Sequence, residues 1–169
     1  MLTNLTSPRW WFSRLTELFV ASALAYLTVN MIVYREALQK ADIPATDWFV
    51  LQEIYVPDHV EGSNPGMIYD RLILESHRGF WVAEVQKVNP GGREGVFQNY
   101  CSGSGVDDYD IVDVLGPDGT VNWNWFFGRP CAVGPGTYRI QLTRDMTKPD
   151  FPVKQMRGWS NTFRVLPAS

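Results

Sequence analysis

The stretch LFVASALAYLTVNMIVY, from Leu18 to Tyr34, decides how the rest of the chain is interpreted. Its seventeen residues carry no charged side chain. At about 1.5 Å rise per residue, a helix of this length spans roughly 25 Å, the lower limit for crossing a hydrocarbon core. Its large apolar side chains fall on every face of such a helix, whereas a helix packed on a soluble domain has one apolar face. The stretch therefore predicts a transmembrane helix.

Helix signals extend the span at both ends. Ser7 stands where an N-cap is expected and Pro8 at the first helical position. No Gly or Pro follows until Pro44, so the helix is predicted from about Pro8 to Lys40. Aromatic side chains are enriched where a helix leaves the bilayer. We expect four residues to mark the membrane anchor: Trp10, Trp11, Leu18 and Tyr34.

Two other interpretations of this segment stay open. Ala23-Leu24-Ala25 resembles a signal-peptidase motif, although the apolar run continues beyond it. The second interpretation is a buried helix of a soluble domain. The apolar side chains on every face of the helix argue against it. Within the span, Asn30 either bonds a neighbouring helix or reaches the membrane interface.

The two cysteines, Cys101 and Cys131, set the expected compartment. An even pair in a β-rich segment suits one disulfide and an oxidising environment, and the alternative is two reduced buried thiols. Closing a loop of this size is worth roughly 3–4 kcal/mol. The basic residues flanking the span nearly balance, so the cysteines decide the orientation. We expect a bacterial inner-membrane protein that crosses once, with a cytoplasmic N-terminus and a periplasmic C-terminal domain.

After Pro44 the sequence changes to short alternating runs separated by Gly and Pro turns. This pattern predicts a mainly β fold: an N-terminal transmembrane segment over residues 1–44 and an immunoglobulin-like antiparallel β-sandwich of 7–8 strands with one disulfide over residues 45–169. The predicted strands are Asp47–Val56, Gly66–Leu74, Phe80–Val88, Gly95–Cys101, Tyr109–Leu115, Thr120–Phe127, Thr137–Thr143 and Asn161–Leu166.

Charge excludes one class of partner. The chain carries 15 basic and 18 acidic side chains, with no stripe of Lys and Arg. Binding to nucleic acid requires clustered cations that neutralise phosphates, so no nucleic-acid partner is expected.

No catalytic residue, metal ligand or cofactor site is predicted. His59 and His77 are interpreted as isolated surface histidines, and Ser102 and Ser104, among glycines, as part of a flexible turn. The acidic run from Asp107 to Asp118 is expected to be a solvated loop, with a calcium site as the alternative.

The most suggestive segment is the aromatic run after Val121. If it continues as a strand, Trp123, Trp125 and Phe127 share one face with Val121. Such a row either fills the sandwich core or forms an interaction surface for a sugar or a protein. We therefore take Trp123, Trp125 and Phe127 as a possible interaction surface.

Several segments carry a resemblance: Asp70-Arg71-Leu72-Ile73-Leu74, Gly79-Phe80-Trp81-Val82-Ala83, Val121-Asn122-Trp123-Asn124-Trp125, Pro135-Gly136-Thr137-Tyr138-Arg139 and Ser160-Asn161-Thr162-Phe163-Arg164-Val165. With the two cysteines, they resemble small membrane-anchored Ig-like proteins of unknown function encoded by phages and prophages of proteobacteria. The resemblance implies this architecture and a bacterial or viral setting, without an activity.

The functional expectation is a non-enzymatic, membrane-tethered interaction or structural module. Its expected partners are membrane lipid and a protein of the membrane or envelope, for example as an accessory subunit of a larger complex. The alternatives are a carbohydrate-binding module and a phage-encoded surface protein that excludes other phages.

Overall fold

The computed structural model describes residues 8–88, 99–111, 119–128 and 130–168. The chain divides into two compact units, Met1–Asp42 and Ile43–Ser169. The first holds one long helix and the second is mainly β. The expectation of one N-terminal helix followed by a β fold is confirmed at this level.

Helix α1 runs from Pro8 to Asp42, slightly beyond the predicted end. From Trp11 onward it is long and apolar enough to cross a membrane, and its apolar window is not buried inside the protein. Three of the predicted anchor side chains, those of Trp11, Leu18 and Tyr34, are well exposed. The side chain of Trp10 lies outside the described part of the structure.

Two polar side chains in the apolar part of α1 bond to the backbone of the helix itself. Asn30 Nδ2 donates to the Tyr26 carbonyl at 2.8 Å, and Thr28 Oγ1 donates to the Leu24 carbonyl at 2.8 Å. In lipid an unpaired polar group costs several kcal/mol, so this internal bonding lowers the cost of placing the helix in a bilayer.

The second unit forms two sheets, and the described residues contain nine strands rather than seven or eight. The first sheet has the order β1-β3-β6, and the second has the order β2-β9-β7-β4-β5, with β8 also paired to β7. All pairs are antiparallel except β2 with β9. The strands are β1 Phe49–Tyr55, β2 His59–Val60, β3 Gly66–Ile73, β4 His77–Lys87, β5 Asn99–Tyr109, β6 Thr120–Asn122, β7 Gly136–Thr147, β8 Lys154–Trp159 and β9 Phe163–Leu166.

The glycine-rich segment after Cys101 is part of strand β5, so the flexible-turn prediction is wrong. A Cβ atom on Gly103 would lie 2.6 Å from the Cα atom of Phe127. A Cβ atom on Gly105 would lie 2.8 Å from the Trp81 ring. Glycine is therefore required for close packing on the inner face of this strand.

Other strand boundaries also differ from the prediction. The predicted strand Tyr109–Leu115 is wrong at its start, because β5 ends at Tyr109 and Ile111 lies in a turn, while residues 112–115 lie outside the described residues. Residues 95–98 of another predicted strand also lie outside them. Strand β8 was missed because its sequence KQMRGW lacks an apolar alternation, and its pairing with β7 uses backbone groups that any sequence offers.

Apolar side chains on the inner faces of both sheets form the core. It includes Phe49, Val56, Met67, Ala83, Val85, Ile140, Met146 and Phe163, all inaccessible to solvent. Burying one such large side chain stabilises the fold by about 1.5–3 kcal/mol relative to leaving it exposed.

A single asparagine also links the two sheets. Asn161, just before β9, accepts a hydrogen bond from the Val56 backbone N–H at 2.7 Å. Its Nδ2 donates to the Val56 carbonyl at 2.9 Å. Val56 directly follows β1, so both backbone groups at the end of that strand are satisfied from the other sheet.

We expect Asn161→Ala to lower the free energy of unfolding by about 1–3 kcal/mol, because both Val56 groups lose their partner in a buried position. Asn122→Ala is the matched control, since the Asn122 side chain makes no capping hydrogen bond and is exposed. Urea unfolding of both variants measures the difference. Equal stability of the two variants would contradict the role given to Asn161.

Candidate functional site

The two cysteines form the predicted disulfide. Cys101 lies in β5, and Cys131 lies in the segment before β7. Their Cα atoms are 6.0 Å apart, and the bond closes a loop with a sequence separation of 30. The bond therefore ties the segment leaving α2 to the edge of the larger sheet.

The aromatic run after Asn122 is a short helix, so the prediction of a continuous strand is wrong. Helix α2 runs from Trp123 to Phe127 and ends at Gly128, whose φ of 65° suits glycine. Its first N–H groups bond outside the helix: Trp123 N to the Pro65 carbonyl at 3.0 Å and Asn124 N to Asn64 Oδ1 at 2.9 Å. These partners are about sixty residues away in the sequence, which is why local patterning did not indicate a helix.

The helix changes which aromatic side chains reach the surface. Trp123 and Phe127 are buried with Phe126 in the core, whereas Trp125 is 60% exposed. The expected row on one β-face does not exist, because helical spacing turns neighbours by about 100°. Only Trp125 of the three predicted interaction residues is available to a partner.

Trp123 connects α2 to the disulfide. Its indole Nε1 donates to the Cys131 carbonyl at 2.8 Å, so the buried N–H is satisfied. The Trp123 ring also packs on Phe127 with ring centroids 4.7 Å apart. Together with the approach of Phe127 to Gly103, these contacts hold α2 on the inner face of β5.

A cleft of about 270 Å³ opens beside α2. One wall is aromatic: Phe126 stacks on Trp81 with ring centroids 5.6 Å apart and an interplanar angle of 21°. Trp125, which precedes Phe126 in α2, lines the same cleft. The cleft is thus bounded by stacked rings on the side of the short helix.

The floor of the cleft contains a buried cation. Arg144 lies in β7 and is 1% exposed. Its Nη2 donates to the Tyr69 hydroxyl at 2.7 Å and to the Tyr109 hydroxyl at 3.1 Å. Its guanidinium carbon lies 4.0 Å from the ring centroid of Phe49 and 4.3 Å from that of Tyr109. Aromatic faces and phenolic oxygens therefore replace part of the lost hydration.

An acidic side chain completes the polar part of the cleft. Asp107 Oδ2 accepts hydrogen bonds from the Tyr109 hydroxyl at 3.1 Å and from Trp81 Nε1 at 3.3 Å. Burial raises the pKa of Tyr109 to about 12, so its hydroxyl stays protonated at neutral pH. The cleft thus places the positive charge of Arg144 beside an acceptor on Asp107.

Neither histidine behaves as the predicted isolated surface residue. His77 is 6% exposed and stacks on Tyr109 with ring centroids 5.3 Å apart. His59 is half-buried and stacks on Phe163 at 5.5 Å. Both histidines fill gaps between aromatic side chains, a role that sequence spacing does not reveal.

The predicted acidic run is described only in part. Asp107 and Asp108 line the cleft, and Asp110 is exposed, while residues 112–118 lie outside the described residues. Within the described ranges, no group of three His, Cys, Asp or Glu side chains is placed to hold a metal ion.

Sequence reasoning missed Arg144, although a signal was present. In β7 the inward positions Tyr138, Ile140, Leu142 and Met146 alternate with outward ones, and Arg144 falls in the inward series. A charged residue at an inward strand position is rare enough to mark a candidate site. Its partners Tyr69 and Tyr109, by contrast, come together only through sheet pairing.

Comparison with protein-family models, with curated proteins and with solved structures finds no match to this chain.

The buried histidine generates a pH prediction. Burial lowers the pKa of His77 below the ordinary 6.5, so the unfolded chain binds more protons than the folded one below about pH 6.5. We expect the free energy of unfolding to fall between about pH 7.5 and pH 5 in the wild-type protein, and to fall less in His77→Phe, which keeps a ring against Tyr109. Urea unfolding at both pH values measures this, and parallel pH dependence in the two proteins would refute it.

Proposed function

We propose that the protein is a non-enzymatic, membrane-tethered recognition module built on an immunoglobulin-like sandwich. The helix α1 is the single membrane anchor in a bacterial inner membrane, with the N-terminus in the cytoplasm. The unit Ile43–Ser169 faces the periplasm and recognises a component of the membrane or envelope.

Two observations support the topology. Helix α1 has the length and apolar composition that a span requires. The Cys101–Cys131 disulfide suits an oxidising compartment, which for a bacterial inner-membrane protein is the periplasm. Tethering raises the effective concentration of the domain near membrane partners, so that modest affinity suffices for binding.

The cleft beside α2 is the observation that carries the recognition role. It combines an exposed tryptophan, stacked aromatic walls and a few convergent polar groups, the composition typical of ligand sites. Tryptophan and arginine are also the residues most enriched at binding hot spots. We therefore assign recognition to Trp125 and its surroundings.

The same geometry favours binding over catalysis. The two carboxylates of the cleft, Asp107 and Asp108, are neighbours on β5, so their side chains leave opposite faces of the strand. A glycoside hydrolase needs two carboxyl groups facing each other across the scissile bond. Among the described residues that line the cleft there is also no Ser, Cys or His.

The resemblance to membrane-anchored phage and prophage proteins supports a bacterial or viral setting. Within it, the module serves either as an accessory subunit of a membrane complex or as a surface protein that excludes other phages. A carbohydrate-binding role is the second candidate, and the exposure of Trp125 beside the cleft favours it, because sugar rings stack on tryptophan faces.

The anchor is tested by fractionation. Full-length protein is expected to stay in membranes after an alkaline carbonate wash, whereas a variant lacking residues 1–42 should move to the soluble fraction. Cys101 and Cys131 should resist thiol-specific labelling in native material until a reductant is added. Sedimentation of the truncated variant with membranes, or free thiols before reduction, would contradict the proposed topology.

The recognition surface is tested by matched tryptophan variants. Trp125→Ala is expected to reduce partner capture from native membranes about tenfold or more, the loss typical of a hot-spot truncation. Trp159→Ala is the control, because Trp159 is 44% exposed on β8 and does not line the cleft. Quantitative mass spectrometry of the captured material compares the two. An equal loss in both variants would show that the cleft is not the recognition site.

A further inference from the structure

Arg144 is buried without a carboxylate partner among the described residues. Its only hydrogen bonds there use Nη2, and its Nε and Nη1 atoms have no partner in the described residues. A buried charge that is not paired destabilises the folded state. Ring faces and tyrosine hydroxyls offset part of this cost, yet the Nε and Nη1 donors, which are shielded from solvent, still lack an acceptor. The floor of the cleft therefore carries a positive charge that no described carboxylate pairs with directly.

A guanidinium attracts a carboxylate through its full positive charge and through charge-assisted hydrogen bonds. A second guanidinium, that of Arg71, lies in the same cleft with its carbon 4.8 Å from the Tyr109 ring centroid. Both cations flank the same phenol ring, so an anion in the cleft meets positive charge from two strands, β3 and β7.

The acidic rim restricts which anion fits. Asp107 faces the cleft together with the two arginines, whereas the Asp108 side chain leaves the other face of β5, with Oδ1 4.0 Å from Arg78 Nε. The charge of Asp107 opposes a doubly charged phosphate more strongly than a singly charged carboxylate. Asp107 also requires donors, and its Oδ2 already accepts two hydrogen bonds, which leaves Oδ1 for a hydroxyl of the ligand.

From these three features we propose that the cleft binds a carboxylate-bearing sugar ring of the uronic acid type. The carboxylate pairs with the positive charges of Arg144 and Arg71, a ring hydroxyl donates to Asp107, and the apolar face of the ring stacks on Trp125. One such ring combines the acceptor, donor and flat apolar surface that the cleft requires. This inference rests on the proposed recognition function and specifies its ligand class.

The size of the cleft is consistent with a single ring. Its volume of about 270 Å³ lies just below the roughly 300–1,000 Å³ typical of sites for drug-sized ligands. Exposure of Trp125 at its edge leaves room for further sugar units to continue outside, so terminal residues of an acidic polysaccharide fit as well as the monomer.

The test is a titration of the full-length protein in a detergent that has no sugar headgroup. The probe is digalacturonic acid, and binding is followed by isothermal titration calorimetry and by tryptophan fluorescence, since Trp81 and Trp125 line the cleft. The comparison ligands are lactose as a neutral disaccharide, glucose 6-phosphate as a dianion and a Glu-containing tripeptide as a non-sugar carboxylate. We expect the digalacturonate to bind about tenfold or more tightly than each comparison ligand.

Two variants separate binding from structure. Arg144→Met fills the same space without charge, and we expect it to lose binding about tenfold or more while its Tm stays equal to or above that of the wild type. Trp125→Ala should also weaken binding, whereas Trp159→Ala should not. If Arg144→Met does not fold, the tryptophan pair still tests the site.

The proposal is overturned if the wild type does not bind digalacturonate, if lactose or the tripeptide binds equally well, or if Arg144→Met binds as the wild type does. A lowered Tm of Arg144→Met with unchanged binding assigns Arg144 a structural role and equally overturns it. Failure of the sugar titration while Trp125→Ala still loses partner capture refutes this ligand class and leaves the recognition function standing. If digalacturonate does not bind and Trp125→Ala captures partners as the wild type does, both proposals fail.

Discussion

The packing of helix α2 against the inner face of β5 is the constraint on which the candidate site depends. Gly103 lets the Phe127 backbone approach the strand at a distance that no side chain allows. The Cys101–Cys131 disulfide and the bond from Trp123 Nε1 to the Cys131 carbonyl join the other end of this helix to the same strand. With both ends held, Phe126 stacks on Trp81 and Trp125 is presented at the cleft.

The polar floor of the cleft lowers the stability of the fold. Burying Arg144 is unfavourable by desolvation, and two phenol hydroxyls and two aromatic faces reduce that penalty without removing it. A hydrophobic side chain of the same volume would pack there without a charge to desolvate. Retention of an incompletely paired cation is expected where a site needs its charge for a ligand, because such sites trade stability for function.

Much of the fold could be predicted, and the failures have physical causes. Period-two alternation found β3, β4 and β7, because each buries one face and so shows the pattern in its sequence. Strand β1 was found as well, although a register shift between Leu51 and Glu53 interrupts the alternation of its burial. Glycines that serve close packing were mistaken for a turn, since composition alone does not separate the two uses of glycine. Of the candidate site, Trp125 was identified in advance, while Arg144 was not, and Trp123 and Phe127 proved to belong to the core.

The sequence by itself determined the long apolar helix, the change to a β-rich unit after Pro44 and the cysteine pair. These follow from local properties: an uncharged run, alternation along each strand and residue type. Only the tertiary structure decided that the aromatic run becomes a helix, because its capping groups at Asn64 and Pro65 come from a distant loop. The tertiary structure also determined which residues form the cleft. Tyr69, Tyr109 and Arg144 come into contact because strands far apart in the chain pair with one another, and no local sequence pattern encodes that contact.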